Sequence, residues 1–116
     1  MKFPAAPYSS AVNLREGAVV VGKVTTIGRK SGLPRTVELR LVYYDGCFYA
    51  SSSKVAGKHW CQNMIGNPAI EVTVNGERFA CVAAQVSDDT RRRWVLERRD
   101  SPPDMARVVF EMRPKG

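Results

Sequence analysis

The sequence predicts a mainly β fold of the α+β kind: six short antiparallel strands closed into a small barrel, with two short helices. Three observations carry this expectation. Runs of β-branched or alternating residues recur along the chain, each bounded by turn residues. Asp45-Gly46 and Asn75-Gly76 are two-residue hairpin signals lying between such runs. Most strands are joined by tight turns, whereas a parallel doubly wound sheet needs crossover helices. The 116 residues make one domain, 1–116, and 44% hydrophobic content lets it bury a core without disulfides.

Residues 1–17 read as an irregular N-terminal arm, with Pro4 and Pro7 breaking any regular element in residues 1–13. Residues 18–27 are rich in Val, Thr and Ile and form the first strand. Gly28-Arg29-Lys30-Ser31-Gly32-Leu33-Pro34 is a turn. Residues 35–43 alternate, with Val37, Leu39, Leu41 and Tyr43 on one face and Thr36, Glu38 and Arg40 on the other. After Asp45-Gly46, residues 47–51 return as the third strand. Ser52 to Gly57 is a loop, and Lys58 to Ile65 a short helix with Trp60, Met64 and Ile65 as its apolar face. Gly66-Asn67-Pro68 ends it, because Pro cannot continue a helix. Residues 70–74 and 77–86 form the second hairpin. Ser87-Asp88-Asp89 caps a second helix through Trp94-Val95-Leu96 to about Arg99. Ser101-Pro102-Pro103 breaks it, and residues 106–112 make the last strand.

The net charge is +7, and four units of it fall in residues 23–40. Such a balance favours an anionic partner without naming one. The arginine-rich stretch 88–104 is internally neutral and reads as a solvated, salt-bridged face. Three widely spaced cysteines, Cys47, Cys61 and Cys81, fit buried free thiols in a reducing compartment better than a zinc site, and no metal is expected. No apolar run has membrane-span length, and Met1-Lys2-Phe3-Pro4 opens no signal-peptide core, so a cytoplasmic location is expected.

Two loops are suited to anions. In Gly28-Arg29-Lys30-Ser31-Gly32, glycines allow positive φ, so backbone N–H groups can face one concavity beside two cations and a hydroxyl. The alternative is a basic, solvent-exposed turn. Ser51-Ser52-Ser53-Lys54 places hydroxyls and an ammonium ahead of a helix N-terminus, with Lys58 one turn on. Its alternative is an ordinary helix-start loop. His59 is the lone histidine, and no nucleophile–base pair or carboxylate pair stands out. No catalytic side chain is assigned, and an enzyme built this way would take its reactivity from a bound cofactor.

Taken in order, these segments resemble the deazaflavin-dependent nitroreductase family of the flavin-binding split β-barrel superfamily. The matching pieces are Thr25-Thr26-Ile27-Gly28-Arg29-Lys30-Ser31-Gly32 with Pro34-Arg35, then Tyr49-Ala50-Ser51-Ser52-Ser53-Lys54, then Trp60 with Asn63, and Asn67-Pro68 before Ile70-Glu71-Val72. The resemblance implies a six-stranded antiparallel split barrel and the deazaflavin coenzyme F-420, with FMN as the alternative. It places Arg29, Lys30, Ser31 and Gly32 at the cofactor's acidic tail or phosphate. Ser51, Ser53 and Lys54 fall at the phosphate-side loop, and Pro34, Arg35 and Thr36 along the ring. Lys58, Trp60 and Asn63 sit where a loop and helix close over the cofactor. The implied reaction is hydride transfer from the reduced coenzyme to a quinone, nitro or other electrophilic acceptor.

The chain departs from the family in two places. The glycine-rich continuation after the Ser-Lys pair is only Val55-Ala56-Gly57, with His59 where the family has proline before Trp. The tyrosine-rich helix lining the family's acceptor pocket has no counterpart, leaving Trp94 and Phe110 as the aromatics of that region. Superfamily relatives often dimerise around the cofactor, so a homodimer is open to this chain. Rival readings are an FMN-dependent reductase, a non-enzymatic flavin or deazaflavin carrier, and a small basic barrel that binds nucleic acid. The last is not expected, because no aromatic-interleaved basic pattern is present.

Overall fold

The computed structural model describes residues 14–54 and 58–115. The expected arm up to residue 13 and the Val55-Ala56-Gly57 segment lie outside the described residues. The elements are β1 (Val19–Ile27), β2 (Pro34–Tyr44), β3 (Cys47–Ser52), α1 (His59–Gly66), β4 (Ala69–Val74), β5 (Glu77–Gln85), α2 (Asp89–Glu97) and β6 (Val108–Pro114). The strands close a barrel in the order β1-β2-β3-β6-β5-β4, every pairing antiparallel. Six antiparallel strands and two helices match the expected split barrel.

Both hairpins turn where their dipeptides put them. Asp45 and Gly46 have φ of 55 and 77, and Asn75 and Gly76 have 52 and 81. Paired left-handed residues match the twist of the strands they join. Two elements differ from expectation by two residues, the last strand at both ends, since it runs on to Pro114, and the second helix at its end; the other ends differ by at most one. The last strand begins at Val108 rather than at 106, because Arg107 N–H bonds Asp104 O at 3.1 Å and holds that segment in a turn. The second helix stops at Glu97 rather than Arg99, because Arg98 and Arg99 N–H bond Val95 and Leu96 three residues back, a tightened last turn.

The barrel interior holds Val24, Leu41, Phe48, Val72, Val74, Phe79, Phe110 and Met112. Helix α1 closes one end by inserting Trp60, Cys61 and Met64, with Trp60 edge-on to Phe110 at 5.9 Å. A second apolar cluster lies on the outer wall, where Val95 and Leu96 of α2 cover Val42, Cys47, Tyr49 and Val109. That cover explains why Cys47–Ala50 is buried on both faces and does not alternate.

The split is in the pairing of β2. Its residues Pro34–Val42 pair with β1, but only Val42–Tyr44 pair with β3. Among the described residues, no strand pairs the other edge of 34–41. A slot therefore opens beside the N-terminal half of β2, and concave surface lies on either side of it.

Candidate functional site

A groove of about 700 Å³ runs along the open part of β2, between the β1–β2 turn and the start of α1. Its basic wall is Arg29, Lys30 and Arg35, and Ser31 and Thr36 add hydroxyls. Pro34, Val37 and Trp60 add apolar surface, with Thr26, Gly28, His59 and Asn63 completing the lining. Eight of the thirteen residues singled out in the sequence therefore meet in one place.

The turn is held from below. Asn63, buried on α1, accepts from the Arg29 backbone N–H at 3.1 Å and from the Arg29 guanidinium at 3.0 Å, and donates to Thr26 Oγ1 at 3.2 Å. The guanidinium also lies 3.4 Å from His59 Nδ1, and a Cβ on Gly66 would stand 3.7 Å from Arg29 Cβ. Residues 59, 63 and 66 form one stripe of α1, spaced three and four apart, so this face of the helix is a rail along which Arg29 lies. Asn63 contributes to the groove through Arg29.

The expected backbone cradle is not what the turn presents. Gly28 N–H bonds Leu33 O, Gly32 N–H bonds Gly28 O, Leu33 N–H bonds Ser31 Oγ, and Arg29 N–H bonds Asn63. Gly32 alone of the two glycines has positive φ, at 73. These four amides are engaged within the protein, so the positive character of the groove comes from the side chains of Arg29, Lys30 and Arg35. Gly32 sits at the open apex, with nothing within 4 Å of an added Cβ.

The second anion-suited loop goes elsewhere. Ser51 lies on the outer wall, where Arg107 donates to its Oγ at 3.2 Å and to its carbonyl at 3.3 Å. Ser53 and Lys54 are exposed beyond β3, with Ser52 Oγ donating to Lys54 O at 2.8 Å. Lys58 is the exposed residue just before α1 and makes no side-chain cap. Thr26, Val37 and His59 line the groove without having been singled out as ligand contacts. Strand and helix periodicity alone marks them as ordinary members of their elements.

Of the solvated, salt-bridged face expected at α2 the ion pairs form, Arg92 with Asp89 at 2.9 Å and Arg99 with Asp100, but Arg91 and Arg92 are only partly solvated. Arg91 donates to the Tyr49 hydroxyl at 2.5 Å, and that hydroxyl donates to Glu111 at 2.9 Å. Arg92 reaches across to Met105 O at 2.5 Å and Arg107 O at 2.7 Å. Both therefore fasten α2 to the barrel, and of the three consecutive arginines Arg93 alone is exposed. The Tyr49 hydroxyl titrates well above the usual tyrosine range, chiefly because burial disfavours its anion.

The family model for F420H(2)-dependent quinone reductases matches residues 10–110. The chain belongs to that family. It is therefore an oxidoreductase whose cofactor is coenzyme F420, a deazaflavin. A solved F420-H2 dependent reductase (FDR-A) is 26% identical, covering 79% of this chain and 92% of that one, with a TM-score of 0.63. A structure described as a domain-swapped dimer is 27% identical, over 79% and 78% of the two chains, with a TM-score of 0.63. A putative pyridoxamine 5'-phosphate oxidase from Listeria innocua shares the fold at 15% identity, covering 83% and 84%, with a TM-score of 0.71. No curated protein matches the chain in sequence. Among the described residues, no helix is long and apolar enough to cross a membrane.

The groove fits the chemistry of such a cofactor. A ring with an acidic tail needs an apolar wall continuous with a cluster of cations, and Pro34, Val37 and Trp60 stand beside Arg29, Lys30 and Arg35. The family's reductase label and the donor set agree on the sign of the ligand.

Proposed function

We propose that this reductase transfers a hydride from reduced F420 to a quinone, nitro or other electrophilic acceptor, and that the groove beside β2 is where the coenzyme sits. The observation that carries the reading is the join of a basic cluster to an apolar wall in one groove of about 700 Å³. The bound deazaflavin supplies the hydride. The chain's part is to hold and orient it, an effect of proximity rather than side-chain acid–base chemistry. Arg29, Lys30 and Arg35 neutralise the phosphate and acidic tail, with Ser31 as a hydroxyl donor and Gly32 keeping the apex open. Pro34, Thr36, Val37 and Trp60 flank the ring. Ser53, Lys54 and Lys58 flank the Val55-Ala56-Gly57 segment and are assigned to the phosphate side on the family resemblance; Ser51, which the resemblance puts with them, lies on the outer wall against Arg107. The domain-swapped dimer among the similar structures supports a homodimer. The buried, unpaired thiols Cys47, Cys61 and Cys81 suit a reducing cytoplasm.

The test is a titration of F420 and of FMN into the purified chain, followed by the coenzyme's own fluorescence. F420 is expected to bind and FMN to bind more weakly. Lys30→Glu is expected to weaken F420 by about tenfold or more, since it turns an attractive charge into a repulsive one. Unchanged F420 affinity in Lys30→Glu would remove the groove as the site. Binding without oxidation of the reduced coenzyme by any quinone or nitro compound would make the chain a carrier.

A further inference from the structure

A second cleft, of about 330 Å³, lies on the outer wall of the barrel and is separate from the coenzyme groove in its lining residues. Four arginines border it: Arg40 from β2, Arg98 and Arg99 from the end of α2, and Arg107 just before β6. They come from three separate stretches of chain and converge without any carboxylate among the lining residues. The acids close by are few. Asp100 pairs with Arg99, and Glu97 stands 3.9 Å from Arg98. Asp104 acts on Arg107 through space. Arg98 also stacks on Trp94 at 4.3 Å. Among the described residues, neither Arg40 nor Arg107 has an ion-pair partner. Burial, and after it the nearby Arg99, hold the Arg107 guanidinium below its usual range, with Asp104 and Asp100 opposing the shift.

The cleft also has an apolar floor, made by Leu39, Val42 and Val95. Its position relative to the groove follows from β2. Thr36 and Arg40 are exposed residues on the same face of that strand, one in each site. Four residues of extended chain separate them by about 13 Å. On the opposite face of β2 the two sites are closer: Val37 lines the groove and Leu39 the cleft, so a ring over Val37 and a second over Leu39 would lie side by side.

We propose that the arginine-lined cleft binds the anionic group of the hydride acceptor, so that this enzyme reduces acceptors carrying a carboxylate, sulfonate or phosphate in preference to neutral ones. The word acceptor rests on the reductase reading above; the anion site itself does not. The acceptor takes a hydride from the reduced coenzyme and a proton from solvent. A quinone thereby gains two electrons and leaves as its hydroquinone. Its anionic group is unchanged and serves to hold the ring over Leu39. Guanidinium forks suit such groups because they donate two parallel hydrogen bonds.

Two measurements on the full chain test this. Naphthalene-2-sulfonate, which is redox-inert, is titrated calorimetrically against the protein without coenzyme and compared with the Arg40→Gln and Arg99→Gln variants. Saturable 1:1 binding is expected, about tenfold weaker in each variant, as loss of one charge-assisted hydrogen bond implies. In turnover with F420, selectivity for 1,4-naphthoquinone-2-sulfonate over 1,4-naphthoquinone, as the ratio of kcat/KM, is expected to fall about tenfold in each variant. Sulfonate binding that neither variant changes overturns the proposal. So does a comparable loss of F420 affinity in both variants, which would give the cleft to the coenzyme's acidic tail. If F420 fails to bind the unaltered chain, the reductase reading fails and the acceptor role with it. The sulfonate titration still decides separately whether the cleft is an anion site.

Discussion

Replacing Asn63 with Leu removes the buried side chain that ties α1 to the β1–β2 turn, leaving His59 as the other α1 contact to Arg29. Asn63 is 3% exposed and Thr26 is 1% exposed, so neither can turn to solvent for a replacement partner. Leu shares Asn's branching at Cγ and is larger, so it leaves no cavity and adds some overpacking. The loss that follows from the missing partners is polar. Thr26 Oγ1 loses the amide donor 3.2 Å away and is left buried, at about 1–3 kcal/mol. The Arg29 backbone and guanidinium lose acceptors at 3.1 and 3.0 Å, but Arg29 is partly solvated and regains water there. Its share is about 0.5–1 kcal/mol. The total is about 1.5–4 kcal/mol, a large part of the stability of a small domain. It corresponds to a fall in Tm of about 6–16 °C for a chain of this size.

The same change frees the Arg29 guanidinium from its rail on α1, so F420 affinity is expected to fall about tenfold through lost preorganisation. Calorimetric melting and F420 titration measure the two effects. A second variant isolates the cause. Thr26→Val combined with Asn63→Leu removes both polar partners, and is expected to recover about 1–2 kcal/mol relative to Asn63→Leu alone. A double variant as unstable as the sum of the two single ones would refute the reasoning. So would a melting point for Asn63→Leu within about 2 °C of the unaltered protein.

Three further outcomes follow from the fold. Gly22→Ala places a Cβ 2.8 Å from Leu41 Cδ1 and 3.0 Å from both Thr73 O and Val74 Cγ2, where β1 crosses between β2 and β4. Urea unfolding is expected to show a loss of about 1–3 kcal/mol from overpacking. Asp88→Ala removes the carboxylate that accepts from Arg91 N–H at 2.9 Å at the start of α2. About 1 kcal/mol should be lost in urea, with Trp94 fluorescence reporting it. Burial pushes the Cys81 thiol up to about 12 from an ordinary value near 9. The unfolded thiol ionises first, so stability is complete below about pH 9 and falls by up to about 1.4 kcal/mol per pH unit above it. Tyr49, Cys47 and Cys61 are shifted in the same direction and add to the fall. Urea midpoints from about pH 8 to about pH 10.5 should show it, and Cys81→Ala should reduce the slope.

What could be read from the sequence was local. The Asp45-Gly46 and Asn75-Gly76 turns need left-handed backbone that these dipeptides supply, and alternation in 36–43 reports one wet and one dry face. The strand order was not local. The partners of β1 and β3 across the barrel, β4 and β6, are fixed by where α1 and α2 carry the chain, and no residue of β1 or β3 encodes that path. The groove was legible in part because Arg29 to Thr36 are contiguous. Ser51 was assigned alongside Ser53 and Lys54 by adjacency in the chain. Strand geometry sends it to the outer wall instead, against Arg107, fifty-six positions away.

Summing charge along the chain failed at α2 for a physical reason. Segment 88–104 is neutral on paper, which suggests acids and bases neutralising one another in water. In the fold the acids do pair, Asp89 with Arg92 and Asp100 with Arg99, but Arg91 and Arg92 also turn inward, where the Tyr49 hydroxyl and the carbonyls of Met105 and Arg107 accept from them. What remains at the far end of the helix is Arg98 and Arg99, facing Arg40 from β2 and Arg107 ahead of β6. Those four come from three segments, none of which is notable alone. Two positive sites result, with β2 giving Arg35 to one and Arg40 to the other: Arg29, Lys30 and Arg35 face the coenzyme groove, and four arginines surround the cleft. The first cluster suits a coenzyme with an acidic tail. In the second, Arg40 has no ion-pair partner among the described residues, and a ligand with a carboxylate, sulfonate or phosphate would supply one.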